Sequence, residues 1–263
     1  MRPNRFALPT LAPGQPFPPV EQAWGPESPA SGLLAMGGLL DVATLVDAYS
    51  HGIFPWYSDG QPFLWWSPDP RMALEVGRFR LHRSLKQVLT RFRNSPNCFV
   101  RFDTAFEQTI RCCATSQRDG DANAPDGTWI LPEMVQAYCA LHQAGFAHSV
   151  ETWVGGELVG GLYCVAIGKA VFGESMFSRK TDASKIALAA LIAFCRVHQI
   201  RLIDCQQNTR HLASLGANEV TRSSFLQHVK AAITMPGPNW QFDNLYWSQL
   251  LSVPEIAQNL PGI

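Results

Sequence analysis

The clearest pattern of apolar and polar positions runs from residue 159 to residue 207. Two short apolar runs meet at Gly168-Lys169, where glycine supplies the positive backbone angle that a two-residue hairpin needs. Apolar residues then recur at helical spacings of four, four and three, at Ile186, Ala190, Phe194 and Val197. A third apolar run, at 202–205, follows. The pattern predicts two strands, a helix with Asp182 as its N-cap, and a third strand reached by a parallel crossover.

A second hairpin is predicted immediately before this unit, because two β-rich runs flank Gly155-Gly156. The sheet is then a meander followed by one crossover, which is the layout of the acetyltransferase-type (GNAT) fold. In open sheets with a crossover, ligands collect at the carboxyl ends of strands. We therefore expect a site near Phe177-Ser178 and Gln206-Gln207.

Composition divides the chain into three parts. Residues 1–30 are rich in proline and poor in periodicity, which predicts an extended arm. Residues 31–70 hold one short helical pattern and a stretch rich in tryptophan and proline, and we expect a small N-terminal domain there. Residues 71–263 would form a larger, GNAT-like domain. The predicted fold class is thus α/β (α+β), with a mixed, mostly antiparallel sheet.

Positive charge is concentrated on one predicted helix. Seven of the 21 basic residues fall within residues 76–102, which contain no Asp or Glu. Apolar residues at helical spacing, Leu85, Val88, Leu89 and Phe92, leave the basic side chains on the opposite face. Such a face indicates contact with a phosphate backbone, or else an ordinary solvated surface, and the pattern alone supports both readings.

Overall charge and cysteine content restrict the class of protein. Basic and acidic residues number 21 each, so net charge does not indicate a partner. The seven cysteines form no CxxC pair and have no matching histidine spacing, so neither a zinc site nor a disulfide framework is expected. No apolar run reaches the length of a membrane span, and the N-terminus lacks the apolar core of a signal peptide. We expect a cytoplasmic protein that has no metal and no membrane partner.

The segment that opens the crossover helix excludes one common cofactor. Acyl-CoA enzymes of the GNAT fold hold pyrophosphate with a glycine-rich loop there, because bare backbone N–H groups must approach the phosphates. Here the segment reads SRKTDASK and contains no glycine. Coenzyme A is therefore not expected, and a different acyl donor is implied.

Eight strings along the chain carry a family resemblance. They are GLLAMGG, HGIFPW, WWSPDPR, GTWI, GESMFS, ASK, and LIDCQ followed by HLASLGA. Their order and spacing resemble the leucyl/phenylalanyl-tRNA-protein transferases from about Gly32 to Leu226. The resemblance implies an aminoacyltransferase that moves Leu or Phe, and less readily Met, from aminoacyl-tRNA to the N-terminal Arg or Lys of an acceptor protein. The product would enter N-end-rule degradation, and we expect a monomer.

The LIDCQ string implies the catalytic pair. Strand alternation puts Asp204 and Gln206 on the same face, and the family mechanism has Asp204 polarise the Gln206 amide through a hydrogen bond. The proton of the incoming amine could pass to Gln206, to water or to the terminal ribose hydroxyl. Glu174, on the neighbouring strand, would offer a negative group to the acceptor, or else pair with Arg179 or Lys185.

The resemblance also assigns the binding residues. The pocket for the donated side chain would be formed by Leu162, Val171, Leu188, Leu191, Cys195 and Ile203. Aromatic positions of the cleft, on which an adenine could stack, map to Tyr49, Trp56 and Trp129. Arg83, Lys86 and Arg91 would bind the acceptor stem of tRNA without reading its sequence. Many family members have an aromatic residue where Val171 stands, which bears on the choice between Leu and Phe.

Three other functions remain open from the residues alone. A small-molecule or protein N-acetyltransferase would share the fold, but SRKTDASK argues against it. A non-catalytic RNA-binding module would need only the basic helix and would leave Asp204 and Gln206 without a role. A cysteine hydrolase built on Cys205 and His211 is disfavoured, because alternation turns Cys205 away from the face that carries the catalytic pair.

Overall fold

The structure, a computed structural model, describes residues 7–116 and 130–251 and contains two β-sheets. The strands are β1 (Thr10–Leu11), β2 (Leu33–Gly37), β3 (Phe54–Pro55), β4 (Leu64–Trp66), β5 (Arg71–Glu75), β6 (Cys98–Phe102), β7 (Ala147–Val154), β8 (Glu157–Ile167), β9 (Ala170–Ser178), β10 (Leu202–Gln206) and β11 (Asn218–Val220). The helices are α1 (Val42–Ser50), α2 (Arg83–Asn94), α3 (Phe106–Thr115), α4 (Pro132–Gln143), α5 (Ala183–Val197), α6 (Arg210–Ser214) and α7 (Arg222–Ala232).

The larger sheet has seven strands in the order β11-β5-β10-β9-β8-β7-β6. Every neighbouring pair is antiparallel except β9 and β10, which are parallel and are joined by α5. The meander, the crossover helix and the parallel strand predicted from the sequence are therefore confirmed. So is the predicted fold class, with its mixed and mostly antiparallel sheet.

Two hydrophobic cores cover the two faces of this sheet. On one face, which we call the α1 face, lie α1, α3, α4, α7 and the smaller sheet, in the order β1-β2-β4-β3. On the other, which we call the α5 face, lie α5, α2 and a short 3-10 segment at Asn244–Gln249. Helix α5 is apolar on nearly all sides and buries 11 of its 15 residues.

The start of α5 differs from the prediction. Asp182 occupies the N-cap position, but its φ is +64° and its carboxylate makes no capping hydrogen bond. It binds Lys185 Nζ instead, at 2.7 Å. The helix is fixed by packing, since a Cβ on Gly160 of β8 would lie 2.5 Å from Ala183 Cβ. Close approach of helix and strand, rather than a side-chain cap, sets where α5 begins.

The smaller sheet and the proline-rich arm pack on the larger sheet. Strand β1 lies within the arm and pairs in parallel with β2. Leu11, Val20 and Ala23 of the arm are buried, and they belong to the same core as α3, α4 and α7. The two sheets separate at residue 70, while the division of the chain into domains stays a prediction. Within the described residues, no helix is long and apolar enough to span a bilayer.

The β8–β9 turn supports a first prediction about stability. Gly168 has a φ of +58°, and a Cβ there would lie 2.5 to 2.7 Å from the carbonyl oxygens of Met235, Ala232 and Ile233. Gly155, in the β7–β8 turn, has a φ of +63° but open space around it. Alanine at either position should cost about 1 to 2 kcal/mol for the left-handed backbone. Overpacking should add about 1 to 3 kcal/mol at Gly168 only.

The measurement is urea unfolding of Gly168→Ala beside Gly155→Ala as the matched control. Equal losses of unfolding free energy in the two variants would contradict the contact between the turn and the end of α7.

Candidate active site

The parallel strands β9 and β10 part after only two residue pairs, and the candidate site lies where they part. Their registered pairs are Ile203 with Val171 and Asp204 with Phe172. Both strands are irregular just beyond this point. Glu174 is the extra residue of a β-bulge between β8 and β9, and Cys205 is the extra residue between β5 and β10. Bulges of this kind redirect side chains, and here they leave the pairing edges of β9 and β10 free to diverge.

Asp204 is fully buried and forms an ion pair with Arg71, at the start of β5. Arg71 Nε donates to Asp204 Oδ1 at 2.8 Å, and its second terminal nitrogen donates to Oδ2 at 2.7 Å. Each side chain is 1% exposed. The guanidinium also lies between the rings of Phe54 and Phe225, 4.7 Å from each centroid. Both carboxylate oxygens of Asp204 are therefore engaged by the guanidinium of Arg71.

The contact between the predicted catalytic residues differs from the expected one. Asp204 Oδ1 accepts a hydrogen bond from the backbone N–H of Gln206, at 3.0 Å, and not from its side chain. The predicted polarisation of the Gln206 amide by Asp204 is therefore wrong. Gln206 has a φ of +54°, and the Asp204 carboxylate holds its N–H in that left-handed conformation. Asp204 and Gln206 do share the α1 face, as alternation predicted.

The side chain of Gln206 reaches Glu174 across the opening between the strands. Gln206 Nε2 donates to Glu174 Oε1 at 3.1 Å. The amide oxygen of Gln206 accepts no hydrogen bond from any described residue, which leaves it available to an N–H group of a ligand. Asp204, Gln206 and Glu174 therefore form one connected group. Arg71 is bound to Asp204, and Glu174 accepts a hydrogen bond from the side-chain amide of Gln206.

Glu174 is partly buried and is held by two tyrosines. Tyr49 donates to Oε1 at 2.8 Å and Tyr138 to Oε2 at 3.4 Å, while the two hydroxyls lie 2.5 Å apart. Loss of hydration raises the pKa of Glu174 to about 8, because it outweighs the opposing effects of the Tyr49 hydrogen bond and of Arg71. Burial also raises the pKa of both tyrosines well above the usual value, so they remain donors. The alternative that the sequence left open, an ion pair of Glu174 with Arg179 or Lys185, is not formed.

The aromatic positions of the predicted cleft have different surroundings. Tyr49 is fully buried, so its ring presents no face to a base, and the expected stacking on Tyr49 is wrong. Its hydroxyl contributes to the Glu174 cluster instead. Trp56 is 37% exposed beside Trp66, with ring centroids 5.4 Å apart, and presents an accessible aromatic surface. Trp129 lies outside the described residues.

The six residues of the predicted side-chain pocket lie together, but on the opposite face of the sheet from Glu174 and Gln206. Leu162, Val171 and Ile203 project from β8, β9 and β10 onto the α5 face, where Leu188, Leu191 and Cys195 of α5 pack over them. None is more than 5% exposed. The point where β9 and β10 stop pairing lies between the two groups.

Helix α2 places its basic residues as the pattern predicted. Leu85, Leu89 and Phe92 are buried in the core of the α5 face. Arg83, Lys86 and Arg91 are exposed, and none forms an ion pair with a carboxylate among the described residues. The helix therefore presents uncompensated positive charge to solvent.

The described residues give little support to a cysteine nucleophile or to a metal site. Burial raises the pKa of the Cys205 thiol far above its usual value, which keeps it protonated and a poor nucleophile. In the part of the chain that the structure describes, no three His, Cys, Asp or Glu side chains are placed to hold a metal ion.

Two residues of this site were missed by sequence reasoning. Arg71 is the last residue of WWSPDPR, and Tyr138 lies on α4 within an ordinary amphipathic pattern. No local signal distinguishes a buried arginine from a surface one, because its partner is 133 residues away in the chain. Tyr138 likewise meets Glu174 only in the folded protein.

Comparison with known proteins gives a consistent result over almost the whole chain. A family model described as leucyl/phenylalanyl-tRNA protein transferase matches residues 73–230, and one for the N-terminal domain of those proteins matches residues 38–69. A leucyl/phenylalanyl-tRNA–protein transferase of Polaromonas sp. (strain JS666) is 60% identical over 245 residues, which are 93% of this chain and 94% of that protein. One of Albidiferax ferrireducens is 62% identical over 95% of this chain and 97% of that protein.

Solved structures give a much weaker likeness. A GCN5-related N-acetyltransferase from Kribbella flavida is 13% identical, with a TM-score of 0.34, over 66% of this chain and 58% of that one. A likeness of this size carries no argument about activity.

Proposed function

The chain belongs to the leucyl/phenylalanyl-tRNA protein transferase family, and on that premise we propose that it joins Leu or Phe from aminoacyl-tRNA to the N-terminal Arg or Lys of acceptor proteins. Met is a poorer donor in this proposal. The protein acts as a monomer in the cytoplasm, and the added residue marks the acceptor for N-end-rule degradation. The observation that carries the proposal is the contact of Gln206 with Glu174 at the opening between β9 and β10.

The enzyme must position the two substrates and transfer a proton, but it does not have to activate the donor, which is already an ester. The α-amino nitrogen of the acceptor attacks the ester carbonyl of the aminoacyl-tRNA, the C–N bond forms, and the C–O bond to the ribose breaks. An ester becomes an amide, so the step is downhill without a nucleotide. The amine must lose a proton and the ribose oxygen must gain one. The enzyme gains rate by holding both reactants in contact and by accepting and returning that proton.

In this proposal, the aminoacyl end of the donor binds where β9 and β10 part, and its terminal adenine binds nearby. The six apolar residues on the α5 face would accept a Leu or Phe side chain, whose burial is worth about 1.5 to 3 kcal/mol. A charged or polar side chain would lose its hydration there without a partner, which gives selectivity. The ester carbonyl would then lie at the opening, beside Gln206. Trp56 offers its exposed ring to the terminal adenine, where stacking contributes about 1 to 3 kcal/mol.

Glu174 is the residue best suited to take the proton. Asp204 is occupied by Arg71, and a neutral glutamine is a weak base. Glu174 has a pKa of about 8, close to the usual value of about 7.7 to 8.0 for an α-amino group. Such a match favours general base catalysis near neutral pH. The free oxygen of Gln206 would orient the amine by accepting one of its hydrogens.

This assignment predicts the behaviour of Glu174→Gln. The variant should lower kcat by about 10², because the base is lost while the shape of the side chain is kept. Both pH profiles should rise as the acceptor's α-amino group loses its proton. The wild type should exceed the variant by a larger factor at pH 8 than at pH 6, because only the wild type also gains the Glu174 carboxylate. Single-turnover transfer from Leu-tRNA to an Arg-peptide, followed between pH 6 and 9, measures both. Glu133→Gln, which alters an exposed carboxylate on α4, is the control and should match the wild type.

The exposed face of α2 suits the acceptor stem of tRNA. Its basic residues contact phosphates rather than bases, so the same helix can serve several tRNAs that carry Leu or Phe. Charge reversal of Arg83 and Arg91 together should weaken binding of Leu-tRNA and Phe-tRNA alike, by roughly ten- to a hundredfold, and flatten its salt dependence. Filter binding at several salt concentrations would measure this.

Arg201→Glu is the matched control for the tRNA measurement. It reverses an exposed positive charge immediately before β10, at the opposite end of the strand from Gln206. Its binding and salt dependence should stay near those of the wild type. A loss of affinity for only one of the two tRNAs would contradict binding through the phosphate backbone.

The proposed activity itself is tested with purified protein, radiolabelled Leu-tRNA or Phe-tRNA, and two peptides that differ only in beginning with Arg or Ala. Label should enter the Arg-peptide, with no transfer above background to the Ala-peptide. A parallel reaction supplies labelled acetyl-CoA in place of aminoacyl-tRNA. Acetyl transfer in that reaction, without aminoacyl transfer in the first, would overturn the proposal in favour of an N-acetyltransferase.

A further inference from the structure

Arg71 is as completely buried as its partner Asp204, and none of the contacts described for it is with a proposed substrate position. Besides its two bonds to Asp204, it donates to the carbonyl oxygen of Gly52 at 3.2 Å. Phe54 of the smaller sheet and Phe225 of α7 cover its two faces. Its position is therefore set by three elements that lie far apart in the sequence.

We propose that Arg71 is a positioning residue for the transfer reaction, which acts through Asp204 to fix the backbone of Gln206 and so to direct the Gln206 amide towards Glu174. The inference rests on the proposed function, since it assigns a part in that reaction to a residue that does not touch the reactants.

The sharing of one oxygen atom is the physical basis of this role. Asp204 Oδ1 accepts from Arg71 Nε and from the backbone N–H of Gln206 at the same time. The orientation of the carboxylate is fixed by the planar, two-point contact with the guanidinium. Gln206 is left-handed, at φ +54°, which costs about 1 to 2 kcal/mol for a residue with a side chain and requires support from its surroundings. The carboxylate that Arg71 orients provides this support.

Stability alone does not account for the pair. A buried ion pair is often no more stabilising than apolar side chains of the same size, because both charges lose their hydration. What apolar side chains could not provide is an oriented acceptor for the N–H of Gln206. The ion pair of Arg71 and Asp204 therefore acts mainly by orienting the backbone of Gln206.

The surroundings of Arg71 connect this role to the smaller sheet. Gly52, which ends the turn after α1, has a φ of +69°, and a Cβ there would lie 2.5 Å from Leu226 Cδ2 of α7. This close packing brings the Gly52 carbonyl and Phe54 up to the guanidinium. The smaller sheet thus contributes to the arrangement of Gln206 through Arg71.

The experiment is a double-mutant cycle between Arg71→Lys and Asp204→Asn. Lysine keeps the positive charge but cannot make the two-point contact, so the variant should lower kcat by about tenfold or more, with KM for aminoacyl-tRNA little changed. Asp204→Asn should lower kcat at least as much. If Arg71 acts only through Asp204, adding Arg71→Lys to Asp204→Asn should cause no further loss. A full additional tenfold loss in the double variant would overturn the proposal.

Hydrogen exchange at the Gln206 backbone amide gives a readout that general destabilisation would not move selectively. In Arg71→Lys it should be about tenfold faster, while amides in the middle of α5 keep the wild-type rate. Arg78→Lys, an exposed arginine paired with Glu75 immediately after β5, is the control and should change neither rate nor kcat. Unchanged exchange at Gln206 in Arg71→Lys would also overturn the proposal.

If Arg71→Lys does not fold, the same exchange measurement is made on Phe225→Leu. It removes one ring from the guanidinium and keeps both charges, so exchange at Gln206 should rise by a smaller factor; no rise would count against the proposal. If the wild-type protein transfers no amino acid, the proposed function fails. The exchange measurements then still decide whether Arg71 holds Gln206.

Discussion

The short parallel pairing of β9 and β10 is the constraint on which the rest of the site depends. The crossover through α5 brings the two strands side by side, and a bulge in each strand then ends their pairing after two residue pairs. In a continuous sheet the backbone groups at this edge would bond to each other, and no ligand could reach between the strands. The pairing ends early, and its end lies between an apolar cluster on the α5 face and a polar cluster on the α1 face.

Burial gives the polar cluster its chemistry. Asp204 and Arg71 are both removed from water, and each neutralises the other, so the carboxylate serves as a fixed hydrogen-bond acceptor. Among the described residues, Glu174 contacts hydroxyl and amide donors and forms no ion pair, and loss of hydration raises its pKa to about 8. The two carboxylates, on neighbouring strands, have different surroundings, because one is paired with a guanidinium and the other, among the described residues, is not.

The family relationship and the geometry answer different questions. Relatives that are about 60% identical over nearly the full chain establish the family and therefore the class of reaction. They do not say how each side chain contributes. The contacts suggest a division of work in which Arg71 and Asp204 set the backbone, Gln206 orients the amine and Glu174 exchanges the proton. The six apolar residues on the α5 face would select the donated side chain.

The sequence by itself determined the elements whose pattern is local. The β8–β9 hairpin, helix α5, strand β10 and the basic face of α2 follow from periodicity and from glycine at Gly168, because such signals involve residues a few positions apart. Only the tertiary structure decided which face of the sheet each cluster occupies, that Tyr49 is buried, and that Asp204 binds the backbone rather than the side chain of Gln206. It also supplied Arg71 as the partner of Asp204, from 133 residues away. Contacts over such distances depend on how the elements pack, and bulges depend on the neighbouring strand, so no local pattern encodes them.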